Sequence, residues 1–109
     1  MFEVGQGVKG KITFADGCSP LYVRVYLVVE VSTSEISILN ISSTRGKEHK
    51  LLFPTNLEIK NYDPPFNEPS FVKLDSLIRV NSSEWGNLKI IRNGSKLSSD
   101  ELEKINALR

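Results

Sequence analysis

Two residue types that often carry chemistry in small proteins are nearly absent from this chain of 109 residues, which holds one cysteine, Cys18, and one histidine, His49. A single thiol closes no internal disulfide, and a reducing, cytoplasmic setting is the expectation. No spaced cluster of His, Cys or carboxylates suggests a metal site, so neither metal nor cofactor is expected. A Ser-His-Asp triad would have to use His49, which lies in a charged segment with no nucleophile elbow. Charge of one sign is also lacking. Fourteen Lys and Arg stand against thirteen Asp and Glu, a net of +1, so contact with nucleic acid has to come from a local patch. Long apolar runs are missing too. The longest, Leu21 to Val31, is interrupted by Arg24 and Glu30 and is too short to span a bilayer. The first five residues have no basic flank or apolar core of signal-peptide length.

Alanine is scarce, at two residues against nine valines and nine isoleucines. β-branched side chains lose χ1 freedom in a helix and pack well on a pleated surface, so a mainly β fold in one domain, residues 1–109, is expected. Gly5-Gln6-Gly7-Val8-Lys9-Gly10 matches G-x-G-x-x-G in letters only. Little room for a strand precedes it and no helix pattern follows, so it reads as a flexible entry to the first strand.

The clearest alternation runs from Tyr22 to Val31. Val23, Val25, Leu27, Val29 and Val31 form one apolar row, with Tyr22, Arg24, Tyr26 and Glu30 on the other face together with Val28. Further strands are expected over Gly10 to Phe14, Glu35 to Ser42, Leu51 to Phe53, Leu57 to Ile59, Phe71 to Val80 and Leu88 to Arg92. The apolar phase slips between Ile38 and Leu39, which predicts a bulge or burial on both faces. Three prolines make residues 61–69 a rigid loop. One helix is expected at the end, where Ser98 and Glu101 have capping-box spacing and Leu102, Ile105 and Leu108 give an apolar stripe. Short strands without βα alternation point to a small barrel closed by that helix.

Two groups of side chains can carry chemistry. Lys73 and Asp75 are two apart on an expected strand and so share a face. A cation beside a carboxylate serves either as an acid–base pair for phosphate chemistry or as an ordinary charged strand face. Arg24 lies between Tyr22 and Tyr26 on its face, an arrangement that can hold phosphate while bases stack, or that can pair across strands with Glu30 or another carboxylate. The segment Arg45 to Lys50 adds local positive charge able to steer an anionic strand.

Several of these segments, taken in order, resemble the MazF/PemK (Kid) family of bacterial toxins. Lys9-Gly10-Lys11-Ile12-Thr13-Phe14 is similar to the family's opening strand, and Arg24-Val25-Tyr26-Leu27-Val28-Val29 to its Arg-Pro-x-Leu-Val-Ile run. Ile41-Ser42-Ser43 falls where the family's third strand ends in a hydroxyl pair. Phe53-Pro54-Thr55-Asn56-Leu57-Glu58-Ile59 is similar to a Leu-Pro-Thr-His-Val-Glu-Ile run, and Ser70 to Ser76 to the strand carrying a basic then an acidic residue. Val25 stands in place of the family's Pro, and Asn56 in place of its frequent His.

The resemblance implies an SH3-like β-barrel with a C-terminal helix, usually a homodimer, that cleaves single-stranded RNA without metal and is blocked by a small acidic antitoxin protein. It implies Arg24, Ser42, Lys73 and Asp75 as catalytic residues. Tyr22, Tyr26, Ser43, Thr44, Arg45 and Lys47 are the residues expected to contact RNA. A non-catalytic binding module on the same barrel, such as a CcdB-like topoisomerase inhibitor or a phage accessory protein, is the rival reading, because a fold alone does not choose a function.

Overall fold

The computed structural model describes residues 1–12 and 22–109. Seven strands form one antiparallel sheet: β1 (Gly7–Gly10), β2 (Arg24–Val31), β3 (Glu35–Ser43), β4 (Asn56–Ile59), β5 (Ser70–Lys73), β6 (Ile78–Asn81) and β7 (Leu88–Ile90). One helix, α1 (Ser99–Leu108), follows. The order across the sheet is β4-β5-β3-β2-β1-β7, and β6 also pairs with β3. The first half of β3, Glu35 to Ile38, pairs with β6, whereas Ile41 to Ser43 pair with β5. No pairing joins β4 to β7 among the described residues, so the architecture here is an open, mainly β sheet with one helix.

β2 and β3 are long because their β-branched and leucine residues are buried on both faces. Tyr26, Val28, Ile36 and Ile38 join Val8 and Val80 in one core layer. Leu27, Val29, Leu39 and Ile41 join Val72 and Ile105 in the other. Each such side chain contributes roughly 1.5–3 kcal/mol when fully buried. Of the two outcomes expected from the phase slip, β3 shows burial on both faces, and the irregularity lies in β2 instead. Residues 36–41 of β3 are all buried, and the register shift falls in its partner between Val28 and Glu30.

Double-sided burial corrects the expected face assignment of β2. Val23 is 54% exposed and Val31 39%, while Tyr26 and Val28 are fully buried. The first strand occupies Gly7–Gly10, part of the stretch expected to be a flexible entry, and ends before Ile12, which is buried. Phe14, Cys18 and the loop before Tyr22 lie outside the described residues.

Residues expected to form a strand at Leu51 to Phe53 instead belong to a 3₁₀ helix, Glu48–Leu52, and its cap. A second 3₁₀ helix, Ser82–Asn87, follows β6, and its Trp85 Nε1–H donates to the Val80 carbonyl at 3.0 Å. The Trp85 ring meets Phe2 edge to face at 5.5 Å.

α1 starts where its capping residues place it. Ser98 Oγ accepts from the Glu101 N–H at 3.4 Å. Ile105 is fully buried and Leu102 partly so, but Leu108, expected in the same stripe, is 59% exposed. Glu101 is itself buried, and its Oε1 accepts from the Asn61 N–H at 3.2 Å. That bond ties α1 to the loop after β4. Among the described residues no helix is long and apolar enough to cross a membrane.

Candidate functional site

Strand register collects most of the sequence-predicted residues at one end of the sheet. Val25 opposes Ile41 and Tyr26 opposes Asn40, which brings Arg24 level with Ser42. Ser42 in turn opposes Phe71, and Asn56 opposes Lys73. Residues opposite one another share a face, and so do residues two apart on a strand. Arg24, Ser42, Lys73 and Asn56 therefore lie on one face across β2, β3, β5 and β4, around the buried Tyr26 and Phe71.

Arg24 is half-buried. Its Nη2 donates to Tyr22 Oη at 3.2 Å, and its guanidinium carbon lies 4.8 Å from the centroid of that ring. Tyr22 is 59% exposed, so its ring is accessible beside the cation. Glu30 is engaged elsewhere, accepting from Arg109 at 2.9 Å and from Ser37 Oγ at 3.2 Å.

Lys73 is the electrostatic centre. Burial first, and then the positive charges of Lys50, Arg24 and Lys47, hold its ammonium below the usual lysine range, while Asp75 opposes the shift. Three further cations and one carboxylate thus act on Lys73. The charge density suits a polyanion, which relieves their mutual repulsion on binding.

Asp75 is not on the strand. β5 ends at Lys73, and Leu74 and Asp75 form a turn before β6, with Leu74 half-buried against the core and Asp75 exposed. This corrects the expectation of a continuous strand from Phe71 to Val80. Ser76 fixes the turn: its hydroxyl donates to the Lys73 carbonyl at 2.6 Å and accepts from the Asn40 N–H at 2.8 Å. Asp75 therefore reaches the cluster as a turn carboxylate anchored to β3, not as a neighbour in a strand row. Ser42 Oγ donates to Asn40 Oδ1 at 3.4 Å, a long bond that leaves the hydroxyl easily redirected.

Three other expectations change. Tyr26 offers no stacking surface, because its ring is fully buried; burial also raises its pKa, with Arg24 acting in the opposite sense. Ser43 follows Ser42 on the strand and faces the other side of the sheet. Thr44 is buried, and its hydroxyl donates to the Pro69 carbonyl at 3.3 Å. Arg45 and Lys47 are exposed.

Lys50 and Asn56 were not singled out as site residues from the sequence. The 3₁₀ helix folds Lys50 back against β4, where Asn56 Nδ2 donates to the Lys50 carbonyl at 2.9 Å. Reading that segment as a strand hides this contact. No cluster of three or more His, Cys, Asp or Glu able to hold a metal occurs among the described residues. No family model matches this chain, and no curated protein does either.

Proposed function

We propose that this chain is a toxin-like endoribonuclease of the MazF/PemK kind, its sheet part of an SH3-like barrel, which cuts single-stranded RNA in the cytoplasm without metal. The observation that carries the reading is the convergence of Arg24, Ser42 and Lys73 on one sheet face, with the Asp75 carboxylate acting on Lys73. In this mechanism Asp75 takes the proton of the substrate's 2′-OH. The 2′-oxygen bonds to the adjacent phosphorus, and the bond from phosphorus to the 5′-oxygen breaks. The products are a 2′,3′-cyclic phosphate and a 5′-OH. Arg24 neutralises the phosphorane oxygens, Ser42 donates to one of them, and Lys73 gives a proton to the leaving oxygen. The lowered pKa of Lys73 suits it to that transfer. Tyr22 and the Arg45–Lys47 loop flank the path of the strand. A homodimer and a small acidic antitoxin protein complete the proposal.

The test is cleavage of single-stranded RNA with a chelator present. Arg24→Ala and Asp75→Asn should each lower the rate by about 10²- to 10³-fold while the protein stays folded. Ser42→Ala should fall between these variants and wild type. Binding through Arg24, Lys47, Lys50 and Lys73 should weaken with a log–log salt slope of about −3. Cleavage that needs added Mg²⁺, or wild-type rates in both Arg24→Ala and Asp75→Asn, would refute the mechanism.

A further inference from the structure

The opposite face of the sheet carries a second constellation. Lys89, Lys9, Val25 and Ile41 lie in one rung across β7, β1, β2 and β3: Lys9 pairs with both Lys89 and Val25, and Val25 with Ile41. One end of the rung is cationic and the other apolar. At neighbouring-strand spacing the rung covers roughly 14 Å, comparable with a nucleotide from its phosphate to the far edge of its base.

The cationic end lacks the acids that would make it an ordinary charged surface. Two lysines directly opposite on paired strands repel each other. Lys11 adds a third amine to the same groove, whose other walls are Gly10, Val23, Gly86 and Asn87. None of the three lysines has an ion pair among the described residues, and no carboxylate from those residues lines the groove.

The apolar end is a built cavity. Lys9 also lines a space of 270 Å³ whose apolar walls are Val25, Ile41, Phe66 and Ile91; its polar groups include Ser43, Asn67 and one carboxylate, Glu68, which places the base and not the phosphate at this end. Arg92 at its rim is already engaged, donating to Asp63 Oδ1 at 2.8 Å. A volume near the small end of ligand sites suits a single base with its sugar, not a dinucleotide.

We infer that this face binds a nucleoside monophosphate, with the base against Val25, Ile41 and Ile91 and the phosphate on Lys9, Lys89 and Lys11. The site lies on the face opposite Arg24 and Lys73 and does not rest on the endoribonuclease reading.

The experiment is titration of the folded protein with adenosine and guanosine 5′-monophosphates, ribose 5-phosphate and inorganic phosphate, followed by calorimetry and by methyl NMR. At least one nucleotide should bind and shift the methyls of Val25, Ile41 and Ile91. Ribose 5-phosphate and inorganic phosphate should each bind at least about tenfold more weakly, since neither has a base for the cavity. The double variant Lys9→Ala/Lys89→Ala should lose at least about tenfold in nucleotide affinity. Both lysines are exposed, so their removal should leave the circular dichroism unchanged. Arg24→Ala should bind nucleotide as wild type does, which separates this site from the RNA-cutting face.

Three results would overturn the inference: methyls unmoved by either nucleotide, inorganic phosphate binding as tightly as the nucleotides, or undiminished affinity in the folded double variant.

Discussion

Replacing Lys73 by methionine separates the stability effect of the cationic cluster from its use. Methionine keeps an unbranched stem in the part-buried position and removes the charge. Lys50, Arg24 and Lys47 repel the ammonium and Asp75 attracts it, which leaves a net of two repulsions. At about 0.3–0.5 kcal/mol for each solvent-screened pair, Lys73→Met should stabilise the fold by about 0.6–1 kcal/mol. For a domain of this size that raises Tm by about 3–6 °C, while RNA cleavage is lost. Thermal unfolding at neutral pH and low salt reads the first effect, and about 1 M salt should erase most of it. The pH dependence has a definite sign. Because the folded-state pKa of Lys73 lies below its unfolded value, the unfolded chain holds more protons between the two, and wild-type stability gains on the variant as pH rises through that window. The Tm advantage of Lys73→Met should therefore shrink toward alkaline pH. A variant that is destabilised, or whose gain ignores salt, would refute the electrostatic account.

Two further substitutions probe the scaffold. The Glu30 carboxyl is held below its ordinary pKa first by the hydrogen bond from Arg109, then by Ser37 and by the charge of Arg109, so its stabilising effect is present above the unfolded carboxylate range and is lost as pH falls through the lowered value. Glu30→Gln should melt below wild type near pH 7, converge with it as pH falls through that lowered value, and leave RNA cleavage unchanged; a Tm gap that ignores pH would contradict the assignment. Gly10→Ala should lower stability by about 1–3 kcal/mol, read from the denaturant midpoint, because a Cβ there collides with the Asn87 carbonyl oxygen. An unchanged midpoint would mean that the segment from Asn87 to Leu88 yields freely.

Much of the strand content was legible because local pattern and burial agree. Leu27 and Val29 were read correctly as core, and Ser98 was read correctly as the helix cap. Tyr26 was not, because alternation identifies one apolar face and says nothing of a second layer covering the other; Tyr26 and Val28 are buried under β6 and the segment around Trp85. Asp75 was misplaced for a different reason. Phe71 to Val80 reads as one strand by its apolar residues, and the break is a local turn in which Ser76 bonds back to Lys73, fixed by a tertiary bond from the Asn40 N–H. Lys50 was hidden by a similar effect, since Leu51 to Phe53 has strand composition but closes a 3₁₀ helix. Arg24 and Lys73 were recoverable because chemistry and alternation singled them out independently.

The outermost strands of the sheet have a consequence for how this chain meets its own copies. β4 has four residues and β7 has three, and each carries charge, Glu58 on the first and Lys89 on the second. A stray strand adding to either margin would gain only a few ladder hydrogen bonds and would meet a like charge when the same margin approached itself. The long, apolar β2 and β3, which would be the hazardous templates, each lie between two neighbours, β2 over Arg24 to Leu27 and β3 between β2 and the pair β5 and β6. The chain thus keeps its most adhesive backbone in the middle of the sheet, and runaway strand-to-strand growth is discouraged at both ends.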